Sequence, residues 1–262
     1  MKLHSIICAS AVAAAMAASA TTVTGANTFA RLPVTSDFAN SIIAIPLSGC
    51  GEATEQIYVT NLVQTTGLSD GDTLMYKDGA NWYAWEINGG NWRALATTET
   101  TVGGITFTPA ANATALDCGK ACWLYRSSHS APVYLYGQVN STRPGVTVAA
   151  GTSSAITYTI VGYPNEAAAL DLATWHPTGA VAGDLVVVPA TGATGQKTYK
   201  YNGSAWTTKT VDSVTSVTNP FTKQTTEVTN FVDSAVSAGT TIPAGCGFMY
   251  GRKATSTLDL AW

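Results

Sequence analysis

Aromatic and amide side chains are concentrated between Trp82 and Trp92, and they are the residues of this chain best suited to binding a ligand. Aromatic ring faces pack against the apolar faces of sugar rings, while asparagine amides hydrogen-bond to hydroxyl groups. The candidate glycan-binding residues are Trp85, Trp92, Asn88 and Asn91. On this interpretation the chain is an extracellular carbohydrate-binding protein that uses surface aromatic residues.

The sequence offers little to support catalysis. Two of its three histidines, His129 and His176, lie beyond the N-terminal segment, and neither belongs to a metal-ligand or nucleophile pattern. No G-x-S-x-G, H-E-x-x-H or glycine-rich phosphate loop is present. Asp72 and Asp184 each follow a glycine at the start of a strand, where a carboxylate commonly caps a turn by accepting backbone N–H bonds. We therefore predict a non-enzymatic protein without catalytic residues, metal ligands or a cofactor.

The first 20 residues have the pattern of a secretory signal peptide. Lys2 supplies a positive charge, residues 6–16 are apolar, and Ala18-Ser19-Ala20 is a small-residue cleavage site. We therefore expect export, a flexible leader over residues 21–30, and a secreted or cell-surface location. No later stretch is long and apolar enough to cross a bilayer as a helix, so no transmembrane segment is expected after cleavage.

Four cysteines lie beyond the predicted signal peptide and are candidates for disulfides. They are Cys50, Cys118, Cys122 and Cys246. An even number in an exported chain favours disulfides, and four cysteines allow three connectivities. Reduced thiols and a zinc site are the alternatives, although Cys118 and Cys122 lack a second close pair of ligands. A bridge from Cys118 or Cys122 to Cys50 would tie the first strand to a later hairpin.

The composition limits the classes of partner. Charged residues make up 11% of the chain and the net charge is −3, which leaves no basic patch for nucleic acid. Polarity comes instead from threonine, serine, asparagine and glycine, and β-branched threonine suits the exposed face of a strand. The expected partners are therefore other copies of the chain, in an assembly, or a surface polysaccharide.

An internal duplication organises the chain. The matched segments, in order, are Gly71-Asp72 with Gly183-Asp184, residues 76–82 with residues 201–206, and residues 123–126 with residues 248–252. Because the order is the same in both halves, we predict two tandem β-sandwich-like domains in a mainly all-β protein with short helical segments. Repeat 1 spans residues 31–139, a linker spans residues 140–146, and repeat 2 spans residues 147–262.

The clearest local structure is a three-stranded meander in repeat 1. Residues 73–77, 82–87 and 92–95 are predicted strands, joined by turns with Asp-Gly and Asn-Gly-Gly sequences. Tyr83, Trp85 and Ile87 share one face, which is the expected core face. In repeat 2 an alanine-rich stretch, residues 166–175, favours a short helix.

The duplication supports a second interpretation of the aromatic cluster, in which its residues fill the core instead of binding a glycan. Because Trp82 is matched by Trp206, we predict that both are core residues, and cross-strand aromatic pairs contribute about 0.5–1.5 kcal/mol beyond burial. Trp85 and Trp92 have no matched tryptophan in repeat 2. They are therefore the residues available for a glycan platform.

Both repeats resemble a domain that occurs in tandem in uncharacterised secreted proteins of Verrucomicrobia-related and Kiritimatiella-like bacteria. The signs are Ile45-Pro46, Gly71-Asp72, the hairpin at residues 201–206, the turn at residues 243–248 and the strand at residues 133–138. The resemblance implies no catalytic residues. Together these features predict a secreted, non-catalytic structural or adhesive protein of the cell surface or extracellular space.

Overall fold

The computed structural model describes a chain that is almost entirely β-structure. The described residues are 29–34, 40–48, 56–102, 105–111, 114–127, 132–139, 145–152, 154–165, 168–189, 196–218 and 225–262. The predicted signal peptide, most of the leader, Cys50 and His129 lie outside them. The all-β fold class is confirmed, and the single helix among the described residues has four residues. The predicted domain boundaries stay a prediction.

The described residues of the first half contain twelve strands and one helical turn. In chain order they are β1 (Phe29–Val34), β2 (Asn40–Ala44), β3 (Leu47–Ser48), β4 (Gln56–Tyr58), α1 (Val59–Leu62), β5 (Thr73–Asp78), β6 (Asn81–Asn88), β7 (Asn91–Ala94), β8 (Thr100–Val102), β9 (Ile105–Phe107), β10 (Ala115–Asp117), β11 (Ala121–Tyr125) and β12 (Val133–Val139).

The strands of the first half form three sheets. The largest has seven strands in the order β2-β11-β5-β6-β9-β8, with β7 also paired to β6. Two smaller sheets have the orders β1-β12-β3 and β10-β4. Every pair is antiparallel except β6 with β9, which meet at Trp82 and Phe107.

Ten strands lie in the part of the second half that the structure describes. In chain order they are β13 (Val146–Val148), β14 (Thr157–Gly162), β15 (Leu170–Asp171), β16 (Leu185–Val188), β17 (Lys197–Tyr201), β18 (Trp206–Thr218), β19 (Thr225–Ala235), β20 (Thr241–Ile242), β21 (Gly247–Arg252) and β22 (Leu258–Leu260).

The second half repeats the pairing order of the first. Its large sheet runs β14-β21-β16-β17-β18-β19, and β13-β22 and β15-β20 are its two small sheets. Thus β14, β21, β16 and β17 take the places of β2, β11, β5 and β6. The small pairs likewise take the places of β1-β12 and β4-β10. Each half therefore surrounds its own apolar core.

The meander predicted in the first half is confirmed. Strands β5, β6 and β7 pair in order, and the turn between β6 and β7 has Gly89 and Gly90 at φ values of 60° and 72°. Two successive positive φ values match a type I′ turn, which joins antiparallel strands without splaying them. Trp85 and Ile87 are buried, and Tyr83 packs against the same core.

The register of the duplication differs from the sequence match. The Ile87 amide donates to the Asp72 carbonyl at 2.9 Å, and the Tyr201 amide donates to the Asp184 carbonyl at 2.9 Å. Since Asp72 and Asp184 are equivalent, Tyr201 corresponds to Ile87 and not to Lys77. The turn of residues 201–206 therefore corresponds to residues 87–92, one hairpin later than the sequence match suggested.

The predicted helix of residues 166–175 is wrong over its described part. Leu170 pairs with Ile242 in the β15-β20 sheet, and the Leu172 amide donates to the Thr240 carbonyl at 2.9 Å. The Asp171 side chain then accepts the amide of Ala173 at 2.9 Å and stabilises a turn. Tertiary pairing therefore outweighs the helix propensity of alanine and leucine.

The two halves touch through reciprocal contacts. The Ala44 amide at the end of β2 donates to the Gly245 carbonyl at 2.8 Å, just before β21. Gly162 at the end of β14 lies against the carbonyl oxygen of Lys120, just before β11. Since β2 corresponds to β14 and β11 to β21, the same two elements meet in both directions, as in an isologous interface.

Replacing Gly162 with alanine tests how closely the halves approach. An added Cβ would overlap the Lys120 carbonyl oxygen, a backbone atom that cannot rotate away. We expect Gly162→Ala to lower the free energy of unfolding by about 2–4 kcal/mol, measured by chemical denaturation.

The matched control is Gly89→Ala, whose added Cβ meets nothing within 4 Å. It should cost only about 1–2 kcal/mol, because its sole penalty is a positive φ. Equal losses in the two variants would mean that the halves do not approach closely at Gly162.

Candidate functional site

The predicted glycan platform is not a surface. Trp85 is 0% exposed and Trp92 is 3% exposed. The Trp85 Nε1 donates to the Ala111 carbonyl at 3.1 Å, and the Trp92 Nε1 donates to the Val63 carbonyl at 2.8 Å. Because both rings are enclosed by the core, neither offers a face to a sugar. Asn88 and Asn91 are exposed on the turn, without an aromatic platform beside them.

Trp82 lies outside the main core of the first half and packs against the small cluster of Ala84, Ala96 and Phe107. Trp82 is partly exposed, and the Lys77 ammonium lies 5.5 Å from the centre of its ring. Trp206 is 0% exposed, and its Nε1 donates to the Trp175 carbonyl at 2.8 Å, as Trp92 donates to Val63. Trp92 is therefore the structural equivalent of Trp206.

Tryptophan truncation separates these roles. We expect Trp92→Ala to cost about 3–5 kcal/mol of unfolding free energy, because it leaves a large cavity and an unsatisfied Val63 carbonyl. Trp82→Ala should cost less, about 1–2 kcal/mol, because the ring is only partly buried against Phe107 and has Lys77 over its face. Chemical denaturation of both variants measures the difference. A larger loss at Trp82 than at Trp92 would contradict this assignment.

The charged residues shared by both halves form buried ion pairs. In the second half the Arg252 Nη1 lies 2.6 Å from the Asp184 Oδ2, and the two side chains are 3% and 0% exposed. The Tyr250 hydroxyl also donates to Asp184 Oδ2, at 2.9 Å. Burial, and then the Asp184 charge, raise the pKa of Tyr250 above its ordinary value.

Backbone groups complete the coordination of both aspartates. Asp184 accepts the amides of Lys253 at 2.8 Å and Val181 at 3.1 Å. Asp72 accepts the amides of Ser127 at 2.7 Å and Ser69 at 3.0 Å. The predicted capping role is therefore confirmed, and these carboxylates have their acceptor positions occupied by structural donors.

The arginine partners were not predicted, although Arg126 and Arg252 lie in matched segments. The Arg126 Nε lies 3.8 Å from the Asp72 Oδ2, and its Nη2 donates to the Gly67 carbonyl at 2.6 Å. An arginine matched between two repeats, with few other charges nearby, was the available signal, because a buried arginine needs an acidic partner. Each pair joins the segment before its meander to the end of a later strand of the same half.

The predicted disulfides are not supported. No disulfide joins any two of Cys118, Cys122 and Cys246. Cys122 and Cys246 pair with opposite sides of Ile43. Two strand spacings place their Cα atoms about 9–10 Å apart, beyond the reach of a disulfide. Burial raises the pKa of the Cys122 thiol, and raises that of Cys246 to about 12, so neither is a reactive thiolate.

The part of the chain that the structure describes shows neither a metal-binding cluster nor a membrane-spanning helix. No group of three or more His, Cys, Asp or Glu side chains there is arranged to hold a metal ion. His176 is exposed, and its nearest ring is Tyr201, at 6.2 Å between centres. No described helix is long and apolar enough to cross a membrane.

Two shallow depressions mark the surface. The larger, about 380 Å³, lies at the base of β18; its lining residues are Ala182, Gly183, Lys200, Tyr201, Asn202, Thr207 and Asp233. The smaller is about 300 Å³; its lining residues are Thr60, Val63, Gln64, Thr65, Asn91 and Trp92. Each lining places polar side chains beside one aromatic residue, but Tyr201 is 7% and Trp92 3% exposed, so neither presents an open ring face to a sugar.

The most distinctive feature of the second half is a long two-stranded ribbon. Strands β18 and β19 have 13 and 11 residues, the longest in the described chain. They pair along residues 207–218 and 225–235, with a register shift between Val211 and Ser213. We call residues 208–218 and 225–234 the ribbon. At about 3.3 Å per residue each of its two strands is roughly 35 Å long.

The ribbon has open edges in the described structure. Strand β18 pairs with β17 only at Lys200 with Thr207 and at Tyr201 with Trp206. Strand β19 is the last strand of its sheet and pairs only with β18. Beyond Thr207 both outer edges therefore present backbone N–H and C=O groups, which form a template for another strand. The ribbon is the candidate interaction site.

The sequence prediction covered only the start of the ribbon, residues 206–211. The missed signal is compositional: β18 and β19 are rich in β-branched threonine and valine, which favour strands. Repeat 1 has no matching segment of this length, so the duplication could not be used to predict the ribbon.

Comparison with protein-family profiles, curated proteins and solved structures finds no match for this chain. The resemblance to tandem domains of secreted bacterial proteins therefore stays a prediction.

Proposed function

We propose that this protein is an exported, non-catalytic structural or adhesive protein of the cell surface or extracellular space, and that the ribbon makes its contacts. The observation that supports this proposal is the ribbon itself, with strands of 13 and 11 residues and open edges. It rests further on the sequence pattern of export in the first 20 residues.

An isolated two-stranded ribbon gains little stability by itself. Two-stranded hairpins are marginally stable in water, because they bury little apolar surface for the backbone entropy lost. Proteins also avoid long open strand edges, because such edges pair with other chains. A ribbon of this length is therefore best explained as a surface that is completed by a partner.

The base of the ribbon is rigidly attached to the second core. Trp206, at the start of β18, is 0% exposed and stacks on Trp175 with 5.8 Å between ring centres. The Asn202 side chain accepts the amides of Ser204 and Ala205 at 2.9 and 2.8 Å, which fixes the preceding turn. Force applied to the ribbon is therefore transmitted to the core, as a structural or adhesive role requires.

The carbohydrate-binding alternative is not favoured by any observation. Its proposed platform depended on Trp85 and Trp92, and both rings are buried. Exposed Asn88 and Asn91 alone offer hydrogen bonds that compete poorly with water.

The test removes the ribbon. Residues 210–232 are replaced by Asn-Gly, which joins cross-strand partners Lys209 and Asp233 through a two-residue hairpin turn. Purified protein, alone and with envelope fragments of the producing cells, is examined by sedimentation and electron microscopy. We expect assembly or envelope binding by the full chain and its loss in the shortened variant.

The control is Asn88→Ala combined with Asn91→Ala, which removes the exposed amides of the predicted glycan site. This variant should assemble or bind as the full chain does. Binding to polysaccharide that survives ribbon removal and disappears in the asparagine variant would instead support the carbohydrate-binding function.

A further inference from the structure

Asparagine or aspartate directly precedes glycine at four turns of the described chain. The pairs are Asp70-Gly71, Asp78-Gly79, Asn88-Gly89 and Asn202-Gly203. Such pairs are chemically labile, because the glycine amide nitrogen can attack the preceding side-chain carbonyl carbon and no Cβ obstructs its approach. The attack requires the side chain and the following peptide to rotate into contact. Hydrogen bonds that prevent this rotation therefore decide which pair reacts.

The two aspartates are restrained by contacts from elsewhere in the first half. The Asp70 Oδ1 accepts the Gly90 amide at 3.1 Å. The Lys120 ammonium lies 2.6 Å from the Asp78 Oδ1. An aspartate also closes the ring only as the protonated acid, by losing water, whereas an asparagine loses ammonia at neutral pH. The two asparagines are therefore the pairs to compare.

Asn202 is held by its own turn. Its Oδ1 accepts the amides of Ser204 and Ala205 at 2.9 and 2.8 Å, and the Ser204 hydroxyl at 3.0 Å. Such an Asx arrangement fixes the side chain over the residues that follow it. The Asn202 carbonyl carbon cannot rotate toward the Gly203 nitrogen until these bonds break.

Asn88 occupies the equivalent turn of the first half, since Ile87 corresponds to Tyr201. Its side chain is exposed, and among the described residues neither this side chain nor the Gly89 amide makes a hydrogen bond. Gly89 and Gly90 follow it, and two successive glycines give the turn great backbone freedom. The same asparagine–glycine pair is thus held in one half and left unrestrained in the other.

We propose that Asn88 is a site of spontaneous, intramolecular modification in the folded protein, and that Asn202 is protected from it. The Gly89 nitrogen bonds to the Asn88 Cγ, the bond from Cγ to Nδ2 breaks, and the proton of the attacking amide leaves with Nδ2 as ammonia. Water then adds to either carbonyl carbon of the resulting cyclic imide and opens it to aspartate or isoaspartate. Water is the only other reactant, and the inference is independent of the proposed function.

The modification changes both the charge and the geometry of the turn. Either product adds one negative charge to a chain whose net charge is −3. That charge lies on the turn whose Gly90 amide donates to the Asp70 carboxylate. Isoaspartate also inserts one methylene into the main chain before Gly89, so the two-residue turn no longer fits the pairing of Asn88 with Asn91. The end of the meander therefore loosens as the protein ages.

The test measures both asparagines in the same molecule. The purified full chain is incubated at neutral and mildly alkaline pH, and peptide mapping by mass spectrometry with electron-based fragmentation gives the aspartate and isoaspartate at each position. We expect conversion of Asn88 to be at least about tenfold faster than that of Asn202, because the bonds to the Asn202 Oδ1 must break first. Both rates should rise with pH, since the attacking amide must lose its proton.

Denaturant separates the effect of structure from that of sequence. In the unfolded chain both asparagines precede glycine without restraint, so the two rates should become similar. The matched control is Asn88→Gln, which keeps an exposed amide but would have to close a larger ring that forms far more slowly. This variant should give no acidic product at residue 88, as judged by ion-exchange chromatography and peptide mapping.

The isoaspartyl fraction, separated by ion exchange, tests the loosening of the meander. It should unfold at a lower denaturant concentration than the unaltered chain. Asn88→Asp adds the same charge without the extra main-chain atom and should unfold nearly as the unaltered chain does.

Equal conversion of Asn88 and Asn202 in the folded chain would overturn the inference. A rate ratio that is unchanged by unfolding would do the same, because sequence alone would then decide the rates. Conversion of Asn88 only in the unfolded chain would show that its turn is protective, which also contradicts the proposal. An isoaspartyl fraction as stable as the unaltered chain would disprove the loosening of the meander.

Discussion

The buried aspartate–arginine pair is the constraint on which the rest of the second half depends. Asp184 is held by Arg252, Tyr250 and two backbone amides, and is 0% exposed. The Asp184 backbone in turn accepts the amide of Tyr201, which ends β17. Removing one partner of such a pair leaves an uncompensated buried charge and costs about 3–5 kcal/mol. The buried pair therefore fixes the position of Tyr201, the last residue of β17.

The position of the ribbon follows from this constraint. Once Tyr201 is fixed, the turn at Asn202 directs Trp206 into the core, where it bonds to Trp175. Strand β18 then continues past its short pairing with β17, with β19 as its partner. The first half uses the Asp72 backbone in the same way to fix Ile87, and differs in how the segment after Trp92 is used. One framework therefore supports a closed edge in one half and an extended ribbon in the other.

Much of the framework could be predicted from the sequence, because it depends on local chemistry. Asn-Gly-Gly predicted the turn between β6 and β7, and alternation predicted the core face of Trp85 and Ile87. The capping role of Asp72 followed from its position after Gly71. Local sequence signals could not show which tryptophan of the first half corresponds to Trp206. Both turns of the meander are followed by tryptophan, and only the strand pairing shows which hairpin corresponds.

The candidate site could not be predicted from the same signals. Whether a strand edge is open depends on which segment covers it, and that is decided by pairing between residues far apart in the chain. Ala84 and Thr198 occupy equivalent places, yet one is buried by Phe107 and the other is exposed. The buried positions of Trp85 and Trp92 are a tertiary result of the same kind. A pattern of aromatic residues in a strand does not distinguish core from surface.

Hydrogen exchange at the amides of Lys253 and Ser127 tests the role of the ion pairs most directly. These amides donate to Asp184 and Asp72 at 2.8 and 2.7 Å, at the ends of β21 and β11. If each pair fixes its half, both amides should exchange only through global unfolding, at the same free energy as the amides of Tyr201 and Ile87, which donate to the backbone carbonyls of Asp184 and Asp72. Exchange of the Lys253 and Ser127 amides through local opening, while Tyr201 stays protected, would contradict this account.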